Sequence, residues 1–104
     1  MANTDLENQF WNHVKCGADM PKQAPDTMLF AYGFYKQATV GDVDTVRPES
    51  SSDVVSALKH DQWERMKGMS KEDAMLKYIE FIENLFKEQG LELETYLKAV
   101  KEKQ

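Results

Sequence analysis

The sequence predicts an all-α protein: a four-helix bundle with one long crossover loop and a short helical extension at the C-terminal end. Three observations carry that expectation. No segment alternates apolar and polar residues at the two-residue period of a half-buried strand. Apolar residues instead recur three and four positions apart, most clearly at Met75, Tyr78, Ile79, Ile82, Leu85 and Phe86. Residues 43–52 hold Arg47-Pro48 and a run of serines, a connection too long for a tight helix hairpin, which lets neighbouring helices run in the same direction.

Thr4-Asp5-Leu6-Glu7 has the form of a capping box, so the first helix is expected to start there, with Leu6, Phe10 and Val14 as its inward stripe and Gly17 as its end. Lys15 sits near that end, where a cation complements the helix dipole. Residues 18–26 contain two prolines and read as loop, after which Asp26 is the expected cap of a second helix running to about Val40 and stopped by Gly41-Asp42. Asp53 is the expected cap of a third helix with Val55, Leu58, Gln62 or Trp63, and Met66 turned inward and Lys59 off that stripe. Ser70 to Asp73 is a further capping box for the fourth helix, which Gly90 ends. Periodicity resumes at Leu93, Tyr96, Leu97 and Val100, so the division expected is a domain over residues 1–90 and a helical extension over 91–104.

At 104 residues the chain supports one domain with a modest core. With 41% hydrophobic and 30% charged residues it has the balance of a soluble globular protein. Thirteen Lys and Arg against eighteen Asp and Glu give a formal charge of -5, which argues against nucleic acid as a partner and requires any polyanion to be caught by a local cluster. No apolar run approaches the ~20 residues that span a bilayer, and the N-terminus lacks the regions of a secretion signal. A cytoplasmic monomer without stable membrane insertion is therefore expected. Cys16 is the single cysteine, and His13 and His60 lack the spacing of metal ligands, so neither a disulfide, a metal nor another cofactor is expected.

Residues 28–47 are the most informative stretch. On a helix, Tyr32, Tyr35, Lys36 and Thr39 fall on one side while Phe30 and Phe34 point roughly the opposite way. A helix that only covers a core places charge opposite its apolar stripe, whereas this one places two phenols and an ammonium there. Phenol rings offer stacking surface and hydroxyls, and a lysine is a point charge suited to phosphate. An aromatic nucleotide carrying phosphate satisfies all three, and so does a half-buried surface of snorkelling side chains with no ligand.

The string Tyr32-Gly33-Phe34-Tyr35-Lys36-Gln37-Ala38-Thr39-Val40-Gly41-Asp42, followed by Thr45 and Arg47-Pro48, resembles the signature of the acyl-CoA-binding protein family. A second block, Trp63, then Lys67-Gly68-Met69-Ser70-Lys71-Glu72-Asp73-Ala74-Met75 and Tyr78-Ile79, resembles the start of that family's last helix. The resemblance implies a carrier of medium- to long-chain fatty acyl-CoA esters. It assigns Lys36 and Lys59, with the Tyr32 hydroxyl, to the ligand's 3′-phosphate, Tyr35 and Tyr78 to the adenine, and Lys15, after Val14, to the phosphates. Met28 and Leu29 are candidates for the acyl groove.

The chain departs from that pattern twice. Phe10-Trp11 stands where the family usually has small residues near the acyl chain, so an inward Trp11 would reshape the groove. After Arg47-Pro48 the chain keeps Lys59 but not the family's other basic residues, and His60 replaces a tryptophan. Weaker or more salt-sensitive binding is expected. No nucleophile with an adjacent base, glycine-rich phosphate loop or catalytic carboxylate pair is present, so the expectation is binding without turnover. The rival expectation is a helical interaction module that has lost CoA-ester affinity through residues 49–60; a thioester hydrolase lacks any nameable catalytic residue.

Overall fold

The computed structural model describes residues 4–49 and 51–103, and of Thr4 the backbone alone; all regular structure among them is helical. Five helices follow in order: α1 (Thr4–Asp19), α2 (Pro25–Thr39), α3 (Val54–Arg65), α4 (Lys71–Glu88) and α5 (Leu93–Glu102). They fall into two compact units, one of residues 1–22 with 75–104 and one of residues 23–74.

In the first unit, α1 starts where the Thr4 motif places it, although the expected Thr4 side-chain cap lies outside the described residues. Phe10 is fully buried, and its ring meets those of Trp11 and Tyr78 edge-on with centroids 5.1 Å away in each case. Such pairs contribute roughly 0.5–1.5 kcal/mol beyond area burial. The buried face continues through His13, Cys16 and Met20 rather than along Val14. His13 is structural: its Nδ1 donates to the Gln9 carbonyl at 2.7 Å and its Nε2 lies 3.6 Å from the Glu83 carboxylate. Burial, assisted by Asp19, pushes the Cys16 thiol above its ordinary range.

Gly17 does not end α1, which continues to Asp19. A Cβ at position 17 would lie 3.2 Å from the Ile82 Cδ1 and 3.5 Å from the Tyr78 hydroxyl, so the glycine serves close approach to α4 rather than a left-handed turn. Gly90, in contrast, does terminate α4: with φ at 66°, it lets the Leu91 N–H reach the Phe86 carbonyl at 2.9 Å and its own N–H reach Lys87 at 3.2 Å. The chain then turns into α5, which packs on α1. Val100 is its buried residue, and Tyr96 meets Phe86 edge-on at 4.8 Å.

In the second unit, Asp26 is not the cap of α2. Ala24 is, held extended at φ -62° and ψ 148° because a residue before proline is excluded from the helical region, and Pro25 occupies the first turn. The helix stops where expected, with the Val40 and Gly41 N–H groups both on the Lys36 carbonyl (2.8 and 3.3 Å) and Gly41 at φ 100°. Asp53 caps α3 as expected, accepting from the Ser56 N–H at 3.0 Å and the Ser56 hydroxyl at 2.6 Å. Ser70 caps α4 through the Asp73 N–H at 3.0 Å.

The inward stripe of α3 differs from the expected one. Ala57, His60 and Trp63 are buried, whereas Val54, Val55 and Leu58 are exposed. Apolar side chains lie all round this helix, so periodicity alone could not choose its face; the approach of α2 does. Packing of α2 on α3 is close enough that a Cβ on Gly33 would lie 2.9 Å from the Gln62 carbonyl oxygen.

The crossing segment is ordered by polar side chains. Gln37, fully buried, donates one amide nitrogen to Asp42 (2.9 Å) and to the Met69 carbonyl (2.7 Å). Asp42 also accepts from the Gly68 N–H at 2.8 Å. The Trp63 indole N–H donates to the Gly41 carbonyl at 2.7 Å, His60 Nε2 to the Thr45 carbonyl at 2.8 Å, and Arg47 clasps Asp61 through two bonds of 2.7 and 3.1 Å. The Trp63, His60 and Arg47 bonds tie the segment after α2 to α3, and the Gln37 and Asp42 bonds tie the end of α2 to the turn between α3 and α4.

Candidate ligand-binding site

The face of α2 that carries the phenols is half-buried at Tyr32, Tyr35 and Lys36. Thr39, on the same side, uses its hydroxyl on the Tyr35 carbonyl at 2.8 Å and so serves the helix itself. The Lys36 ammonium lies 4.8 Å from the centroid of the Trp63 ring, and the Lys59 ammonium 5.5 Å from that of Tyr32. Both distances are within cation–π range, where the ring face holds the charge while the N–H groups remain available to an anion.

Tyr32, Lys59 and Trp63 line one cleft of about 390 Å³, together with Thr45 and Pro48 of the crossing segment and His60. One cation and two aromatic rings, from α2 and α3, thus line the cleft, and a second cation, Lys36, lies over one of those rings, that of Trp63. Arg47 does not join them. Its hydrogen bonds to Asp61 keep the guanidinium charged and hold the Asp61 carboxyl below the usual range, so each neutralises the other. The cleft offers flat π-surface beside the Lys59 ammonium, with a second ammonium, Lys36, on the Trp63 ring, a combination that suits a purine bearing a phosphate.

The other sequence-expected residues are placed as follows. Met28, more than half exposed, and Leu29, half-buried, lie in the first half of α2. Lys15 is exposed on α1, and with the helix running to Asp19 it stands a turn inside the end rather than at it. Tyr78 of α4 is buried at 6% exposure with its ring against Phe10. Trp11 stays exposed; Phe10 is the ring turned inward. Lys15, Tyr78 and both rings belong to the first unit, and the cleft to the second.

The family model for Acyl CoA binding protein matches residues 7–82. An acyl-CoA-binding protein of Gossypium hirsutum is 41% identical over 87 residues, covering 82% of this chain and 96% of the relative. The chain belongs to the acyl-CoA-binding protein family. Within the family, Acyl-CoA-binding protein 2 of Saccharomyces pastorianus is 40% identical over 77 residues, 73% of this chain and 87% of the yeast protein. The crystal structure of Oryza sativa Acyl-CoA-Binding Protein 2 superposes with a TM-score of 0.76 at 35% identity, covering 82% of this chain and 94% of the rice chain. The protein from Moniliophthora perniciosa gives 0.78 at 33% identity, covering 91% and 94%. The all-helical fold is thus that of the acyl-CoA-binding proteins, and α5 lies beyond the family match.

Of the cleft's lining only Tyr32 and Lys59 were expected from the sequence; Trp63, His60 and Thr45 are among those that escaped it. Trp63 served there as a motif landmark and core candidate, not as the ring beneath Lys36. His60 and Thr45 enter through a hydrogen bond between loop and helix 15 positions apart. No periodicity reports such a bond; the only available signal was the replacement of a tryptophan by His60, a smaller ring with a polar edge.

Proposed function

We propose that this chain binds medium- to long-chain fatty acyl-CoA esters reversibly and carries them as a soluble pool, without turning them over. The observation that carries this reading is the cleft lined by Tyr32, Lys59 and Trp63, with the Lys59 ammonium over the Tyr32 ring and the Lys36 ammonium over that of Trp63. Family membership and the crystal structures of acyl-CoA-binding proteins support it. In this reading Lys36, Lys59 and the Tyr32 hydroxyl take the ribose 3′-phosphate, each charge-assisted bond contributing roughly 1.5–3 kcal/mol before screening. The resemblance also assigns Tyr35 and Tyr78 to the adenine and Lys15 to the phosphates, and Met28 and Leu29 are the candidates for the acyl groove, where a thioether adapts to an irregular chain.

The protein acts as a cytoplasmic monomer, and the association needs neither metal nor cofactor. Calorimetric titration with palmitoyl-CoA should give saturable one-to-one binding, and prolonged incubation should release no free thiol. Heat no greater than dilution favours the interaction-module reading instead, and thiol release in proportion to protein concentration would replace carriage by hydrolysis.

A further inference from the structure

One side chain in the lining of the α2 and α3 cleft has no part in the contacts proposed above. His60 lines it with Lys59 and Tyr32 and is buried at 7% exposure. A carbonyl oxygen can only accept, so the 2.8 Å bond to Thr45 fixes the proton of the neutral imidazole on Nε2. Nδ1 is then the acceptor nitrogen, and it is buried with no hydrogen-bond partner among the described residues. The Glu64 carboxylate, one turn further along α3, lies 4.0 Å from it.

Histidine is the side chain suited to taking up a proton near neutral pH, and a proton on Nδ1 would face Glu64 while Nε2 kept its bond to Thr45. The charged groups around the ring are mixed. On α3, Lys59 opposes an imidazolium, whereas Asp61 and Glu64 favour it. In the crossing segment Asp44 precedes Thr45, and Arg47 is held on Asp61; on α2, Tyr32 lines the same cleft and Lys36 lies over Trp63. Burial and Lys59 oppose the charged ring, and a phosphate brought to Lys59 acts in the other direction.

We propose that His60 is a proton-coupled binding residue: a phosphate monoester arriving beside Lys59 draws a proton from solvent onto Nδ1, and the imidazolium, paired with Glu64, adds a further positive charge to the cleft. The role rests on the acyl-CoA reading above, in which Lys59 meets the 3′-phosphate. Linkage is reciprocal, so a ligand that favours protonation of the ring binds more tightly as pH falls. The tryptophan of the family pattern, a donor only, has no such proton to accept.

The test is calorimetric titration of the full chain with palmitoyl-CoA between about pH 8 and about pH 6.5, the range over which histidines change charge, in two buffers of different ionisation enthalpy. His60→Gln keeps an amide N–H for Thr45 but takes up no proton. The ligand's own titration is common to both chains, so the ratio of their affinities is the readout. That ratio should move roughly three- to tenfold in favour of the parent as pH falls, with proton uptake on binding seen in the parent and reduced in His60→Gln. Glu64→Gln, at a largely exposed carboxylate, should also reduce the uptake. With palmitoyl-3′-dephospho-CoA the pH-dependent gain should shrink.

A ratio that stays constant with pH overturns the assignment and leaves the carrier reading standing; a constant loss together with a lower melting temperature makes His60 a structural residue. A gain of equal size with the dephospho ester overturns the coupling to the 3′-phosphate. A parent chain that binds palmitoyl-CoA at no pH removes the carrier reading and this proposal together.

Discussion

At the residue scale, Lys36 illustrates how one side chain can serve fold and ligand with unequal weight. Its ammonium meets the Trp63 ring at 4.8 Å in a half-buried setting, a contact worth about 0.5–1 kcal/mol, whereas a bond to phosphate is stronger. Lys36→Ala should therefore raise the dissociation constant for palmitoyl-CoA about tenfold or more while lowering the melting temperature by only a few degrees. An unchanged dissociation constant would falsify the phosphate assignment. Tyr78 has the opposite balance, being 6% exposed with its ring on Phe10. Tyr78→Ala is expected to lower stability by roughly 3–5 kcal/mol, as for other buried aromatic truncations, and Tyr78→Phe by far less. Comparable melting curves for the two variants would contradict that burial. The phenol-and-lysine face of α2 was legible because helical spacing alone puts Tyr32, Tyr35 and Lys36 together. Their aromatic and loop partners were not, since Trp63, His60 and Thr45 arrive through contacts between segments far apart in sequence.

At the element scale, local chemistry was easier to foresee than packing. Asp53, Ser70, Gly41 and Gly90 begin or end helices as their residue types suggest, because caps depend on neighbours three or four positions away. Gly17 and the face of α3 were misjudged because both depend on another helix. The two helical glycines give a discriminating comparison. At Gly33 a Cβ would stand 2.9 Å from the Gln62 carbonyl, which cannot yield without moving α3, while at Gly17 it would meet the movable end of Ile82 at 3.2 Å. Gly33→Ala should destabilise by about 1–3 kcal/mol in chemical denaturation, and Gly17→Ala should be near neutral, its small clash offset by helix propensity of roughly 0.5–1 kcal/mol. Equal effects would show that α2 and α3 are not in close contact.

The crossing segment carries its own pH dependence. Asp42 is held below the ordinary carboxylate range by the Gly68 N–H and then by Gln37, Asp53 by the Ser56 hydroxyl and N–H, and Asp61 by Arg47. A carboxyl that ionises more readily folded than unfolded adds stability that is complete above its unfolded value of ~4 and is lost as pH falls through the lower folded value. The melting temperature should hold from neutral pH to about pH 5, then fall in more acid solution as these three groups protonate. Asp42→Asn should melt lower at neutral pH and show a shallower acid decline; a decline as steep as the parent's would exclude Asp42 from the linkage.

At the scale of the whole molecule, the physical claim is that a net-acidic helical protein gathers a few cations for an anionic head group and leaves an apolar path for a chain. The head-group half was partly readable, since a charge of -5 makes any polyanion site a local matter. The acyl half was less so, because the shape of a groove follows from which rings turn inward, and it is Phe10, not Trp11, that does. A titration series with CoA, octanoyl-CoA, dodecanoyl-CoA and palmitoyl-CoA examines both halves at once. Each further buried methylene should contribute ~0.8 kcal/mol until the groove ends, so affinity should climb steeply from octanoyl-CoA and then level, with CoA alone binding weakly through the same lysines. Affinity that is independent of chain length, or absent throughout the series, would contradict the account.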